Sequence, residues 1–355
     1  YRLSYEIDDG TDPVLVTVEV ETGPVFTLES YEVIYSGGGQ PPSADAAALS
    51  ALGLEIGMKA RASFIAGARA KLLERLAQRG RPLATIEDDE ILVDHETATM
   101  RVTMTIDPGP AATFGAMSFE GLTDVEAAYI ARLVPWQAGD AYDKRLVDDY
   151  RRRVAQTELF EGIDIAHAAA ANPDGSLPMS VGVVESKHRT IGGSLSWSTD
   201  IGPGMSIFWE HRNSFGQGEK TRIALDVSPV LQEFEATLRK PAFRRIDQAL
   251  LFQGTATHED DDAFEETSLR FYSGIERKYD ENLTFQIGGE VEFSKLIDVT
   301  GSGEFFLVGL PLGARYDGTD ALLDPTTGVR FSATTTPTIL TYPDTKRYLS
   351  AELIG

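Results

Sequence analysis

Glu281-Asn282-Leu283-Thr284-Phe285-Gln286-Ile287-Gly288-Gly289-Glu290-Val291-Glu292-Phe293-Ser294-Lys295 alternates with a period of two. In an extended chain, successive side chains point to opposite faces, so Leu283, Phe285, Ile287, Val291 and Phe293 share one side. Asn282, Thr284, Gln286, Glu290, Glu292 and Ser294 share the other. The same grammar sets Thr221, Ile223, Leu225 and Val227 against Lys220, Arg222, Asp226 and Ser228. It also sets Leu269, Phe271 and Ile275 against Ser268, Arg270, Tyr272 and Glu276. Alternation alone also fits a β-sandwich with a polar outer face. Long strands whose polar face carries charges point instead to a sheet with lipid on one side and a wet lumen on the other.

The pattern runs from Thr190 to Gly355 and yields about ten strands. Residues 1 to about 187 mix helix and strand periods. Among the 355 residues, 55 acidic side chains face 32 basic ones, a net charge of -23. That balance excludes a nucleic-acid binder, which relies on Lys and Arg to neutralise phosphate. The absence of cysteine removes disulfides, thiolate metal sites and cysteine nucleophiles together. His95, His167, His188, His211 and His258 show no helical i, i+3 or i, i+4 spacing, so no metal ligand set is assigned. No apolar run is long enough for a membrane-spanning helix, a test that does not bear on strands.

A self-comparison of the first half finds a repeat of about 85 residues. The strand Val14–Val20, the joint Thr22-Gly23-Pro24 and Thr27-Leu28 return as Met100–Ile106, Pro108-Gly109-Pro110 and Thr113-Phe114. Each copy then reads as a strand (Val25–Tyr35; Ala111–Gly121), a short helix (Ala44–Leu52; Asp124–Leu133) and a longer helix (Arg61–Gln78; Tyr142–Leu159). Phe64, Ala68, Leu72 and Leu76 recur at helical spacing in the first long helix, and Gly80 and Gly162 are expected to stop the two long helices. Two strands close each copy: Leu83–Val93 with Met100–Ile106, and Ile163–Ala170 with Met179–Glu185. The order is β-α-α-β-β, twice, after a partial copy at Tyr1–Glu21 that keeps only a final hairpin.

That order resembles the POTRA domain. POTRA copies joined to a strand-only segment resemble the outer-membrane insertase and secretion superfamily that includes BamA, TamA and the two-partner-secretion transporters. Three stretches carry the likeness further: the first barrel strand Thr190–Thr199, Trp209–Glu219, and Asp324-Pro325-Thr326-Thr327-Gly328. At least three POTRA copies, the first partial, are more similar to TamA-like members than to two-partner transporters. The expected division is 1–22 the end of a partial POTRA domain, 23–107 and 108–187 POTRA domains, and 188–355 the first part of an outer-membrane β-barrel. About ten strands against the family's sixteen imply a C-terminally truncated chain, lacking the long sixth extracellular loop.

The resemblance implies a non-enzymatic assembly factor in the bacterial outer membrane, with its POTRA domains in the periplasm. It would insert or translocate unfolded outer-membrane clients, including autotransporters, without a cofactor. A large TamB-like periplasmic protein is the implied partner, and the lipid bilayer is the other. The alternatives are a two-partner-secretion pore exporting one soluble partner, and a porin or adhesin with accessory periplasmic domains.

The implied working surfaces are backbone edges. Thr190, Ile191, Gly192, Gly193, Ser194, Leu195, Ser196 and Trp197 would form a lateral-gate strand that pairs weakly and can template a client strand. Gly192 and Gly193 suit either a parting seam or a bend at a barrel corner. In the POTRA copies, Leu83, Ala84, Thr85 and Ile86 and, further on, Ile163, Asp164, Ile165 and Ala166 would offer sheet edges.

Three other motifs read as ordinary structure. Gly216-Gln217-Gly218-Glu219-Lys220-Thr221 lacks the Gly-Lys step of a phosphate loop and reads as a turn. His258-Glu259-Asp260-Asp261-Asp262 reads as a solvated acidic loop, with weak divalent-cation binding as the alternative. Glu290 and Glu292 share a face but have no apolar pocket to raise a pKa, so they do not suggest a hydrolase.

Overall fold

The structure, a computed structural model, describes residues 2–8, 15–21, 24–36, 48–199, 201–321, 323–342 and 344–355. Val14, the Thr22-Gly23 joint and residues 44–47 of the expected short helix lie outside the described residues. Two compact units result, one of Tyr1–Ser118, Pro135–Asp149 and Ile165–Ser180, the other of Phe119–Val134, Tyr150–Asp164 and Val181–Gly355.

In the first unit, β1 (Arg2–Asp8) and β2 (Leu15–Glu21) form an antiparallel hairpin with Arg2 opposite Glu21. The first full repeat follows: β3 (Thr27–Tyr35), α1 (Leu49–Leu52), α2 (Ala62–Ala77), β4 (Thr85–Asp94) and β5 (Thr99–Asp107). Its sheet has the order β3-β5-β4, with β3 parallel and β4 antiparallel to the central strand. Met100, Val102, Met104 and Ile106 alternate inward from β5 and meet Ile65, Ala68, Leu72 and Leu76, which recur at helical spacing along α2. The two periods, 2.0 and 3.6, thus present one apolar face each to a single core. Phe64, expected on that helical face, is 40% exposed.

The second repeat comprises β6 (Thr113–Glu120), α3 (Ala127–Arg132), α4 (Lys144–Ala155), β7 (Phe160–His167) and β8 (Ser176–Glu185), with the sheet order β6-β8-β7. The repeat is visible bond for bond. Leu28 N–H donates to Met58 O, and Gly57 N–H to Leu28 O. In the second copy Phe114 N–H donates to Asp140 O, and Gly139 N–H to Phe114 O. Phe114 stacks on Trp136 at 4.3 Å. Leu177, Met179, Val181 and Val183 alternate inward along β8. One expectation fails at the second helix stop. Gly80 is left-handed at φ 83°, as a helix end requires, but Gly162 sits inside β7. There the left-handed turn is made by Glu158 at φ 59°.

From β9 onward the chain is one antiparallel sheet: β9 (Arg189–Ser198), β10 (Gly202–His211), β11 (Lys220–Val227), β12 (Leu231–Lys240), β13 (Gln248–Asp261), β14 (Phe264–Lys278) and β15 (Leu283–Asp298). It continues through β16 (Gly301–Gly309), β17 (Leu312–Asp317), β18 (Arg330–Tyr342) and β19 (Lys346–Ile354). β16 and β17 both lie between β15 and β18, one strand position broken at Leu310-Pro311, so these elements occupy ten positions. The acidic run His258–Asp261 is not a loop but the end of β13, because its backbone pairs with β14 up to Asp261 opposite Phe264.

The faces of this sheet are inverted relative to a water-soluble core. Phe285, Ile287 and Phe293 are 45%, 52% and 52% exposed, whereas Ser294 and Thr338 on the polar face are buried. A sandwich would hide those aromatics; a lipid-facing wall displays them. The polar face is laced with ion pairs, such as Arg270–Glu292 at 2.7 Å and Arg330–Asp317 at 2.8 Å.

Candidate functional site

β9 follows the last strand of the second repeat after only Ser186, Lys187 and His188. It pairs with β10 on one side, from Arg189 opposite His211 to Ser198 opposite Gly202, and has no other strand partner among the described residues. It therefore forms an end of the sheet. Ile191, Leu195 and Trp197 project from it at 81%, 84% and 76% exposure. All of Thr190–Trp197 lies in this strand.

The two glycines have a local cause. A Cβ on Gly192 would come within 2.5 Å of the Phe208 ring, and one on Gly193 within 3.1 Å of Ser206 O. With no side chain at Gly192, Phe208 lies flat across β9 and carries the Arg222 guanidinium 4.1 Å from its ring centre.

The start of β9 is fixed by a polar joint within the second unit. Glu185, the last residue of β8, is 7% exposed at its side chain. Its carboxylate accepts from the N–H groups of Thr123, Asp124 and Val125, from the Thr123 hydroxyl, and from His188 Nε2 at 3.1 Å. Burial by itself would raise the Glu185 carboxyl, but these hydrogen bonds outweigh it and hold the pKa at about 2. Asp124, Glu185 and His188 bring ligand-type atoms within 4.8 Å of one another. The donors converging on Glu185 already fill the roughly four lone-pair positions of a carboxylate, so the group caps a chain turn and has no capacity left for a cation.

The β10–β11 turn is anchored to the same segment. Asn213, 4% exposed, donates to Asp124 O at 2.9 Å and accepts from Gly218 N–H. Glu126 N–H donates to Gly216 O at 2.8 Å, and Gln217 Nε2 donates to the Glu126 carboxylate at 2.8 Å. Gly216 and Gly218 take φ of 91° and 73°, and a Cβ on Gly218 would lie 2.8 Å from the Tyr129 hydroxyl. Glu219, 1% exposed, closes the turn by accepting from Gln217 N–H and from Lys240 Nζ at 3.1 Å. The motif that brushed against a phosphate loop is thus a docking turn, and Lys220 opens a strand.

In the repeats, β4 and β7 are sheet edges. Thr85 and Ile86 begin β4, while Leu83 and Ala84 fall in the turn ahead of it, because the chain leaves α2 through Gly80 and reaches extended geometry only at Thr85. Ile163, Asp164, Ile165 and Ala166 all lie in β7. Sequence reasoning missed the joint entirely. Glu185, Asn213, Glu219 and Glu126 are scattered polar residues whose convergence leaves no local pattern.

Residues 213–355 match the Omp85 superfamily domain. BamA from Haemophilus ducreyi lacking POTRA domains 1–3 is similar in structure, with a TM-score of 0.75 at 16% identity, covering 90% of this chain. This chain spans 64% of that protein's length. A weaker likeness, with a TM-score of 0.42 and 24% identity over 52% of this chain and 71% of the other, links it to Haemophilus influenzae BamA POTRA3–5. CdiB from Acinetobacter baumannii gives a TM-score of 0.45 at 11% identity over 94% and 63% of the two chains.

Fold and match together define the architecture: β-α-α-β-β repeats leading into a barrel-type antiparallel sheet like that of BamA. The barrel segment from residue 213 is the part that carries the Omp85 superfamily domain.

Proposed function

We propose that the protein is a TamA-like assembly factor that inserts or translocates β-barrel and autotransporter clients. The observation that supports this reading is β9 itself, the strand joined directly to the last repeat, whose Gly192 and Gly193 present no side chain to Phe208 and Ser206 of β10. A seam parting between β9 and the barrel's last strand would leave N–H and C=O groups in hydrocarbon without partners, at a cost of several kcal/mol per group. An incoming client strand relieves that cost by pairing, and burial of its own apolar surface in lipid drives the step. No nucleotide or catalytic group enters this reading. The edges β4 and β7 would hold clients, or a TamB-like partner, by the same main-chain pairing.

The test uses the full-length protein in outer-membrane vesicles, with a photo-crosslinking residue at Leu195. Adducts to an assembling client strand are expected, and they should fall as assembly completes. Adducts confined to the barrel's own last strand, with client assembly proceeding at the normal rate, would overturn the gate.

A further inference from the structure

Phe208 breaks the alternation of the barrel sheet. Met205, Ile207 and Trp209 fall on the lipid side of β10, so Phe208 stands on the polar side between Ser206 and Glu210. Gly192 supplies part of the cause. It lies directly opposite Phe208 in the β9–β10 register and leaves the space that the ring fills. The ring thus reaches from β10 over β9, whose far side has no strand partner among the described residues.

Arg222 supplies the rest. Its guanidinium lies 4.1 Å from the centre of the Phe208 ring and makes no hydrogen bond or ion pair among the described residues. The acids around it are occupied. Glu210, directly opposite Arg222 across the β10–β11 pair, serves Lys220 at 3.1 Å and Arg212 at 4.0 Å. Asp226, on the same face of β11, accepts from the Ser206 hydroxyl. Thr237, opposite Arg222 on β12, carries no charge. Arg239, Arg270 and Arg330 each have a carboxylate within 2.8 Å, and Arg222 has only a ring. It is half-buried, where a charge calls for a counter-charge, and a cation–π contact steers a guanidinium without neutralising it.

We propose that Phe208 and Arg222 form a carboxylate-reading site for the client strand that pairs onto β9, selecting Asp or Glu at the lumen-facing position opposite Gly192. Charge complementarity across a glycine supports this. A side chain on Gly192 would stand between that position and the ring; without one, the incoming residue leans over bare backbone toward the ring and the guanidinium. Its carboxylate then accepts from the Arg222 N–H groups by charge-assisted bonds. Phe208 is a positioning residue, holding the guanidinium by its ring face. The inference rests on the reading of β9 as the strand that templates clients, and adds a sequence preference that main-chain pairing alone does not give.

The experiment takes the full-length protein in outer-membrane vesicles, with the photo-crosslinking residue at Leu195, and synthetic peptides of alternating apolar and polar residues as probes. The peptides differ in the place of a single Glu, moved through the polar-face positions, and each has a Gln twin. Adducts should favour Glu over Gln by about tenfold in one register, the one that sets the Glu opposite Gly192. Arg222→Gln should abolish that preference and Phe208→Leu should reduce it, while Phe208→Trp, which restores a ring face, should keep it. A Glu-to-Gln ratio does not depend on how much of a variant folds. A Glu preference equal in every register, or one that survives Arg222→Gln, would overturn the proposal and leave the gate standing. So would peptides without any Glu preference where Arg222→Gln instead lowers adducts to the barrel's own last strand, since the carboxylate would then belong to the closed barrel. No adducts with any peptide, Glu or Gln, would overturn the gate and the site with it.

Discussion

The first repeat and the barrel sheet use the same residue types in opposite senses. In β5, Val102, Met104 and Ile106 are wholly buried against α2, while in β15 Phe285, Ile287 and Phe293 stand about half exposed and the polar residues between them are more covered. Alternation tells which residues share a face; the solvent decides which face is hidden. The repeats fold by withdrawing apolar area from water, and the barrel folds by pairing every backbone group in a medium that offers no other partner.

That contrast can be broken first in the repeats. Leu72 is wholly buried in the first core, and Leu72→Ala should cost about 2–5 kcal/mol in denaturant unfolding of the repeats, with the barrel transition unmoved. A coincident shift of both transitions would show that the two regions do not fold by separate rules. A somewhat smaller effect is expected at the lipid face. Phe285→Arg should destabilise the barrel by about 2–4 kcal/mol in a bilayer if the site lies near the midplane. An unchanged urea midpoint in vesicles would mean that Phe285 faces water.

The smallest effect belongs to the polar joint within the second unit. Glu185 is held at about 2 against an ordinary 4.5, so its stabilising contribution is complete above pH 4.5 and is lost as the pH falls toward 2. Glu185→Gln should cost about 1–3 kcal/mol at neutral pH, read as faster hydrogen exchange at Thr123–Val125. The gap between the two proteins should close on acidification through that window. A gap that stays constant down to pH 2 would assign the stabilisation to packing.

How much of this was legible beforehand depended on whether the signal was periodic. The repeat was visible because Gly-Pro joints recur and because β5 and α2 carry clean periods, and the barrel strands were visible for the same reason. Gly162 misled because a glycine near a helix end looks like a stop, although Glu158 bears the left-handed turn and Gly162 lies in β7. Phe64 misled because its spacing fits the buried stripe, but the stripe centres on Ile65, Ala68, Leu72 and Leu76. The acidic run at 258–261 looked like a loop because charge density usually marks one, whereas ladder pairing with β14 extends it. The joint had no signal at all. Asn213 and Asp124 are 89 residues apart, and nothing short of the folded chain brings them together.

Strand length carries one more consequence. β13, β14 and β15 have 14, 15 and 16 residues, against 8 to 10 in β9 to β12. Sixteen residues at 3.4 Å each reach roughly 54 Å, and at a 40° tilt they climb about 41 Å, well past the 25 Å apolar band. The surplus stands at the end of the sheet that holds the β13–β14 turn, where Glu259, Asp260, Asp261, Glu265, Glu266 and Asp298 crown the hairpins. That end of the sheet is a stiff, negatively charged palisade fixed by main-chain ladders, a parapet standing where strands usually give way to loops.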